Sequence, residues 1–207
     1  MAENRTTPRT RNPRGEGARL REEIVAAATT LLEQGSAAAV TLRAVARGAG
    51  ITAPSIYRHF ADVDAILRAV VDEAFEDFEH RMRAAGQQPD TAAGRLHAVC
   101  RCYLDFAHER PQRYHLMFGG AWNAAAGADE ATRADRSHIG LNAFAALSDA
   151  VQGCVDAGVS ASTDVFADTT ALWVALHGLS GLRETTSLFP WPDDLAGNLV
   201  RTLARLT

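Results

Sequence analysis

The chain has 207 residues, of which 47% are hydrophobic and 22% charged, and its formal net charge is −4. This length suits one or two small domains with a sizeable core, and the composition is that of an ordinary globular protein. No apolar run approaches the roughly 20 residues that a membrane helix requires, and the N-terminus lacks the apolar segment of a secretory signal. We therefore expect a cytoplasmic protein with no membrane partner.

Positive charge is concentrated in the first third of the chain. Residues 1–60 contain nine arginines and five acidic residues, whereas residues 61–207 contain twelve arginines and twenty acidic residues. An acidic protein with a basic segment of this kind can bind nucleic acid through that segment. The three cysteines form no pairing framework, which is typical of a reducing compartment.

The first 17 residues are polar and rich in arginine, and we predict a disordered basic arm. Two roles remain open for this arm. It is either a solvated tail or a segment whose arginines contact phosphates or the minor groove beside a DNA site. The arginines concerned are Arg5, Arg9, Arg11 and Arg14.

A helix is predicted next, from about residue 18 to residue 34, with Gly35 at its end. The stretch that follows, TLRAVARGAGITAPSIYRHF at 41–60, predicts a helix, a tight turn and a second helix. Thr41 is a good N-cap for the first of these helices. Gly48 and Gly50 can take the left-handed backbone angles that end a helix and turn the chain.

The second helix of this stretch is expected to begin at Thr52 as N-cap, with Pro54 in its first turn, where a missing N–H costs nothing. Ile56 and Phe60 are four residues apart and should face inward. A short polar helix aimed in this way is typical of a helix-turn-helix that enters a DNA groove.

The rest of the chain is predicted to be helical, with no strand pattern. Asp62 should cap a long helix, Gly158 should stop another, and Asp164 or Thr163 should begin the next. The predicted ranges are 63–85, 91–109, a short helix at 112–118, 130–157, 164–187 and 193–206. The sequence thus predicts an all-α fold of about nine helices.

The pattern T-L-R-x-V-A-x-x-A-G-I-T-x-x-S-I-Y-R-H-F at 41–60 resembles the signature of TetR-type transcriptional regulators. The segment from about 92 to 185 is similar to one regulatory-domain subtype of that family, which carries a W-x-x-x-H-G motif. The marks of that subtype here are Phe106–Pro111, Tyr114–Phe118 and Ala171–Leu179. The resemblance implies a basic arm at 1–17, a DNA-binding domain at 18–65, and a helical ligand-binding and dimerisation domain at 66–207.

Candidate DNA contacts come from the helix-turn-helix. Hydroxyl, ring-nitrogen and helix-start N–H groups can bind phosphates, arginine can bind phosphate or guanine, and small residues let the helix end sit deep in the groove. The candidates are Thr41, Leu42, Arg43, Thr52, Ala53, Pro54, Ser55, Tyr57, Arg58 and His59. The alternative for Tyr57 and His59 is a structural role.

A homodimer through the last two helices is expected, because one recognition helix covers too little DNA. Small residues at Ala171, Ala175 and Gly178 would let a partner helix approach closely, and Leu199 and Leu203 offer an apolar stripe. The alternative is that these residues face the core of their own subunit. The resemblance to the family favours a dimer through a four-helix bundle.

Large or soft side chains in the regulatory part are candidates for contact with a small-molecule effector, although each could equally fill a core. They are Tyr103, Phe106, Met117, Phe118, Trp122, Phe144, Trp173 and His177. His97 and Cys100 are three residues apart but lack further converging ligands, so we expect no metal site. No catalytic or cofactor motif occurs, and we expect neither a cofactor nor an enzyme.

The sequence therefore predicts a dimeric repressor that binds double-stranded operator DNA and is released by a small apolar or aromatic molecule. Two alternatives remain at this point. One is an activator or a ligand-independent regulator, and the other is a small-molecule enzyme or carrier with an accessory DNA-binding end.

Overall fold

The computed structural model describes residues 16–118 and 140–207, and within these ranges the chain forms nine α-helices and no strand. The helices are α1 (Glu16–Gln34), α2 (Leu42–Gly48), α3 (Ala53–Ile56), α4 (Val63–Gln87), α5 (Ala92–Glu109), α6 (Pro111–Phe118), α7 (Leu141–Asp156), α8 (Val165–Thr185) and α9 (Leu195–Leu203). The predicted all-α fold is confirmed. The basic arm and the start of the helix predicted at 130–157 lie outside the described residues.

The chain divides into two compact units, Met1–Val70 and Val71–Thr207. None of the described helices combines the length and the apolar character that a membrane span requires.

The first unit is built on α1, which buries one apolar stripe against α2. Its core contains Ile24, Val25, Ala28, Leu32, Val45, Ala46, Ile56, Phe60, Ile66 and Val70.

The end of α2 is set by backbone hydrogen bonds. The Ile51 amide donates to the Ala46 carbonyl (2.9 Å), and the Gly50 amide donates to the Arg47 carbonyl (3.2 Å). This pair of bonds is a Schellman motif, which needs a left-handed residue after the helix, and Gly50 has φ +65°. The turn predicted from the glycines is therefore present at Gly50.

Gly48 has a different role from the one predicted. It is the last residue of α2 and has no positive φ. A Cβ placed on it would lie 3.2 Å from the Cβ of Ala27 in α1. Gly48 therefore allows α1 and α2 to approach closely, and the turn itself depends on Gly50 alone.

The predicted N-caps are confirmed at Thr41, Asp62 and Asp164, whose side-chain oxygens accept from Ala44, Ala65 and Ala167 amides, respectively. Thr52 occupies the predicted N-cap position of α3, but it makes no side-chain cap. Its hydroxyl bonds the Ser55 hydroxyl (2.9 Å) and no backbone amide. The Ser55 amide is already bonded to the Thr52 carbonyl (2.9 Å), and Pro54 has no amide hydrogen, so few donors remain to be capped.

The second unit has one hydrophobic core to which α4, α5, α7, α8 and α9 contribute. Its largest fully buried side chains are Phe78, Met82, Leu96, Tyr103, Phe106, Leu147, Leu172 and Leu176. Gly158 ends α7 in the same way that Gly50 ends α2, with φ +69° and an amide of Val159 bonded to the Cys154 carbonyl (3.0 Å). The predicted stop at Gly158 is confirmed.

The last helix is shorter than the predicted 193–206. It ends at Leu203, and Arg205 takes a left-handed φ of 49°, which turns the chain back. The Ala161 amide then donates to the Arg205 carbonyl (2.9 Å), and the Thr207 amide donates to the Val159 carbonyl (3.1 Å). These bonds replace the helical hydrogen bonds that a longer α9 would have made.

We predict that Gly50→Ala lowers the free energy of unfolding by about 1 kcal/mol, the cost of a left-handed backbone for a residue with a Cβ. No atom lies within 4 Å of the position that this Cβ would take, so the effect comes from the backbone and not from a clash. Urea titration followed by circular dichroism measures it. Gly50→Asn should lower the free energy of unfolding by less than Gly50→Ala does, because asparagine tolerates the left-handed conformation better than alanine.

Gly17→Ala is the matched control, since Gly17 lies in α1, has no positive φ and meets no atom within 4 Å. Alanine should be neutral or stabilising there because of its higher helix propensity. Equal stability of the two alanine variants would contradict the assigned role of Gly50.

Candidate functional site

The helix-turn-helix exposes three arginines that have no acidic partner among the described residues. Arg43 and Arg47 are four residues apart on α2 and are both exposed, and Arg58 is exposed just after α3. Within the described ranges, none of the three forms a salt bridge or a side-chain hydrogen bond. Three unpaired guanidinium groups on one short segment form a favourable site for phosphate groups.

Hydroxyl groups lie beside these arginines. The Thr41 oxygen accepts from the Ala44 amide (3.2 Å), so its own hydrogen is available to another acceptor. The hydroxyls of Thr52 and Ser55 form a pair at the start of α3. Tyr57, at the end of α3, is 60% exposed, which is unusual for a large aromatic side chain and does not fit the alternative of a structural role in the core.

The start of α3 carries small side chains. Pro54 is exposed, and Ala53 and Ser55 are half-buried, as are Leu42 at the start of α2 and His59 after α3. Below them Ile56 and Phe60 are buried, and the Arg21 guanidinium lies 5.0 Å from the centre of the Phe60 ring. The apolar side of this segment is thus held against α1, and the small and basic side is left on the surface.

The structure places all ten sequence-predicted DNA contacts on these two helices and their flanking residues. Arg47 was not among them. Its signal in the sequence is the spacing of four from Arg43, which puts both guanidinium groups on one face of α2.

The second unit contains an apolar cavity of about 360 Å³. Helices α4, α5, α6, α7 and α8 all contribute to it, and its volume is in the lower part of the range for small-molecule sites. The side chains that line it are Phe75, Met82, Tyr103, Phe118, Leu141, Ala143, Phe144, Leu147, Phe166, Thr170 and Trp173, together with Gly140.

Four of the predicted ligand contacts line this cavity: Tyr103, Phe118, Phe144 and Trp173. Phe106 does not line it, because its ring packs against Phe78 in the core, with ring centres 4.7 Å apart. Met117 packs against the core outside the lining, and Trp122 lies outside the described residues. Phe75 and Met82 of α4 also line the cavity, although neither was predicted to contact a ligand.

A chain of polar groups lies beside this cavity. The Tyr103 hydroxyl is 3.0 Å from the Tyr114 hydroxyl, which is 2.7 Å from Nδ1 of His177. The Tyr103 hydroxyl is also 3.4 Å from that nitrogen. These residues come from α5, α6 and α8, so the polar chain formed by Tyr103, Tyr114 and His177 joins three helices. Only Tyr103 is part of the cavity lining, whereas Tyr114 lines a separate groove.

Burial keeps this polar chain uncharged. It raises the pKa of Tyr103 and of Tyr114, and the nearby Tyr114 hydroxyl raises that of Tyr103 further. Burial also lowers the pKa of the His177 imidazole. Both phenols and the imidazole are therefore neutral at pH 7, and the three side chains interact through hydrogen bonds and not through charge.

No group of three or more histidine, cysteine, aspartate or glutamate side chains in the described ranges could hold a metal ion. Burial raises the pKa of the Cys100 thiol to about 12, which keeps it protonated and unsuited to metal binding.

Two family models match the chain. The model described as "Bacterial regulatory proteins, tetR family" matches residues 24–70, and the model described as "Tetracyclin repressor-like, C-terminal domain" matches residues 96–206. The first match includes the helix-turn-helix, and the second includes most of the unit with the cavity.

Solved structures share the fold over nearly the whole chain. A protein of unknown function from Rhodococcus sp. RHA1 has a TM-score of 0.76 at 24% identity, with 94% of this chain and 98% of that chain covered. A TetR family transcription regulator from Marinobacter aquaeolei VT8 has a TM-score of 0.63 at 14% identity, covering 92% and 96%. The regulator FadR from Bacillus subtilis, in complex with stearoyl-CoA, has a TM-score of 0.68 at 15% identity, covering 88% and 97%.

We predict that His177 makes the protein less stable in mild acid. Its pKa is lowered in the folded state, so between that value and its ordinary value of about 6.5 the unfolded chain binds a proton that the folded chain does not. Stability therefore falls as the pH decreases through this window. The loss in free energy of unfolding between about pH 7.5 and about pH 5.5 should be smaller in His177→Asn.

Part of the decrease in the free energy of unfolding on acidification should persist in His177→Asn, because burial also lowers the pKa of His97. His108→Asn, at an exposed position of α5, is the control and should keep the full wild-type difference. Denaturant titrations at the two pH values measure each loss, and an unchanged loss in His177→Asn would contradict the prediction.

Proposed function

The chain belongs to the TetR family of bacterial regulatory proteins, and we propose that it is a dimeric repressor released from its operator by a small apolar molecule. It is a DNA-binding transcription regulator and not an enzyme, as the members of this family are. The proposal rests on two features of the structure. One unit exposes arginines on a helix-turn-helix that have no partner among the described residues, and the other contains an apolar cavity.

The proposed DNA contacts divide into two classes. Phosphate contacts come from hydroxyl and ring-nitrogen groups, and they position the protein without reading the sequence. We assign them to Thr41, Thr52, Tyr57 and His59. Arg43 and Arg58 can bind either phosphate or guanine, and Arg47 is added to them because it is equally exposed and unpaired.

Small residues give the start of α3 access to a major groove. Ala53, Pro54 and Ser55 project little beyond the backbone, and Pro54, which is exposed, can contact a thymine methyl group. Leu42 is the weakest member of the predicted set, since it is half-buried and has no polar atom.

The cavity supports regulation by a ligand. Phe75 and Met82 of α4 line it, and the same helix begins at Val63 within the first unit. A molecule that enters beside these side chains acts on a helix that both units share. It releases DNA if it binds the DNA-incompetent arrangement more tightly than the competent one. The Bacillus subtilis FadR complex with stearoyl-CoA is consistent with a ligand that has a large apolar part.

The proposed dimer uses an exposed face of α8. Four residues on one side of this helix are exposed, and they are spaced three or four apart. They are Ala167, Ala171, Val174 and Gly178. Val174 is 60% exposed, and its small neighbours would let a second helix approach closely.

The face of α9 contributes less than the sequence suggested. Leu199 is half-buried, and Leu203 packs partly against the core of its own unit. We therefore centre the proposed interface on α8, with Leu199 at its edge.

We predict that Arg58→Ala weakens binding to the intergenic DNA upstream of the gene by a factor of at least about 5, the lower limit for one bidentate guanine contact. If Arg58 instead binds phosphate, the slope of log affinity against log salt concentration should also fall by about 1. Fluorescence anisotropy with a labelled fragment at several salt concentrations measures both quantities.

Arg101→Ala is the matched control, because Arg101 is exposed on α5 and lies in the other unit. It should bind as the wild type does. Equal affinity of the Arg58→Ala and wild-type proteins would remove Arg58 from the interface, and failure of the wild type to bind any upstream fragment at low salt would overturn the proposed function.

We predict that Gly178→Arg converts the dimer to a monomer without unfolding it. No atom lies within 4 Å of a Cβ added at Gly178, so the subunit tolerates the side chain, whereas a charged side chain prevents close approach of a second helix. Gly153→Arg, on α7, has the same free space and should leave the dimer intact. Sedimentation velocity distinguishes the two states, and a dimeric Gly178→Arg would exclude this face as the interface.

A further inference from the structure

Tyr103 is the point at which the apolar cavity meets the polar chain. It lines the cavity from α5, and it is only 2% exposed to solvent. Its hydroxyl is held by the Tyr114 hydroxyl at 3.0 Å. Burial raises the pKa of Tyr103, and a hydrogen bond from Trp173, another lining residue, offsets a small part of that rise. Tyr103 therefore belongs both to the cavity wall and to the polar chain.

The other two members of the polar chain lie away from this cavity. Tyr114 and His177 are not among its lining residues, and Tyr114 lines a groove of about 790 Å³ that also contains Asp105, Arg183 and Glu184. The polar chain therefore has one end at an apolar cavity and its second member at a polar groove.

The described residues give the cavity no charge with which to bind an ion. None of the lining residues that the structure describes is an arginine, histidine, aspartate or glutamate. Thr170 offers little hydrogen-bonding capacity, since its hydroxyl already donates to the Phe166 carbonyl (2.7 Å). A carboxylate or phosphate buried here would lose its hydration without gaining a partner of opposite charge, which is strongly unfavourable.

The hydrogen bonds in the polar chain can run in either direction. If Nδ1 of His177 is unprotonated, Tyr114 donates to it, Tyr103 donates to the Tyr114 oxygen, and the Tyr103 oxygen remains an acceptor. If Nδ1 carries the hydrogen, each bond reverses, and the Tyr103 hydroxyl hydrogen is free to be donated into the cavity.

The first direction is the resting arrangement, because it leaves no buried hydroxyl hydrogen without a partner. The reversed direction becomes favourable when a ligand supplies an acceptor. A change of tautomer at His177, together with rotation of the two tyrosine hydroxyl hydrogens about their C–O bonds, exchanges the two directions without moving a heavy atom. The described part of the cavity can thus offer an acceptor or a donor at the same atom, but no charge.

We propose that the effector is an uncharged, mainly apolar molecule with one hydroxyl or carbonyl oxygen, and that the Tyr103 hydroxyl is the group that recognises this oxygen. This inference rests on the proposed function, since it assigns a chemical class to the ligand of the same cavity. His177 acts as a positioning residue, because it determines the direction of the hydrogen bonds through Tyr114.

Three probes of similar size test the proposal with the full-length protein at pH 7: naphthalene, 2-naphthol and 2-naphthoate. Isothermal titration calorimetry measures their affinities. 2-Naphthol should bind about fivefold more tightly than naphthalene, the factor expected for one added hydrogen bond. 2-Naphthoate should bind at least about tenfold more weakly than naphthalene, because its charge is not compensated.

Two tyrosine variants locate the effect. Tyr103→Phe should abolish the preference for 2-naphthol and leave the affinity for naphthalene within about twofold of the wild type. Tyr114→Phe breaks the link between His177 and the Tyr103 hydroxyl without changing a lining residue, so the preference should fall below the wild-type value while the affinity for naphthalene stays the same. Thr170→Phe fills the edge of the cavity and should weaken the binding of naphthalene and 2-naphthol alike.

The outcomes separate this inference from the proposed function. If naphthalene binds as tightly as 2-naphthol, or if Tyr103→Phe keeps the preference, the role of Tyr103 is wrong while the cavity remains an effector site. If 2-naphthoate binds most tightly, the uncharged class is wrong. If no probe binds, or if Thr170→Phe leaves binding unchanged, the cavity itself is not the effector site, and both proposals fail.

Discussion

A single helix, α4, has to bury its apolar side chains in two separate cores. Five of its buried residues recur at every fourth position from the first unit into the second. They are Ile66, Val70, Ala74, Phe78 and Met82. Because protein interiors are close-packed, a helix held in this way cannot change its packing at one end without cost. The apolar cavity meets α4 at Met82, in the second half of this stripe, and at Phe75 beside it.

Charge pairing distinguishes the two units more sharply than charge content does. In the second unit, Arg81, Arg83, Arg201 and Arg205 are paired with carboxylates of Asp77, Glu79, Asp194 and Asp168, respectively. The arginines of the helix-turn-helix have no such partners in the described ranges. An acidic protein can therefore present local positive potential to DNA, because the described acidic residues lie away from the arginines of the helix-turn-helix.

The wall of the cavity combines packed aromatic rings with a tyrosine that is hydrogen-bonded to other polar side chains. Aromatic side chains from different helices meet at edge-to-face angles around it, such as Phe75 with Phe118 and Phe144 with Trp173. Such rings are rigid and do not fill every gap between helices that diverge. The polar chain of Tyr103, Tyr114 and His177 is satisfied internally, so it adds specificity to this wall without the cost of an unpaired polar group.

Several local features could be predicted from the sequence because their causes are local. The caps at Thr41, Asp62 and Asp164, the turn at Gly50 and the stop at Gly158 each depend on residues within one helical turn. Thr52 shows the limit of this reasoning. Its hydroxyl had an equally close alternative partner in Ser55, and the choice between the two is decided by side-chain geometry that the residue types do not specify.

The sequence by itself determined the all-α fold, the order of the helices and the position of the helix-turn-helix, since helical periodicity and turn residues act over short distances. Only the tertiary structure decided which aromatic residues line a cavity and which fill the core. Phe106 and Phe144 look alike in the sequence, but one packs against Phe78 and the other faces the cavity. That difference arises from how helices distant in the chain pack together, which no local pattern records.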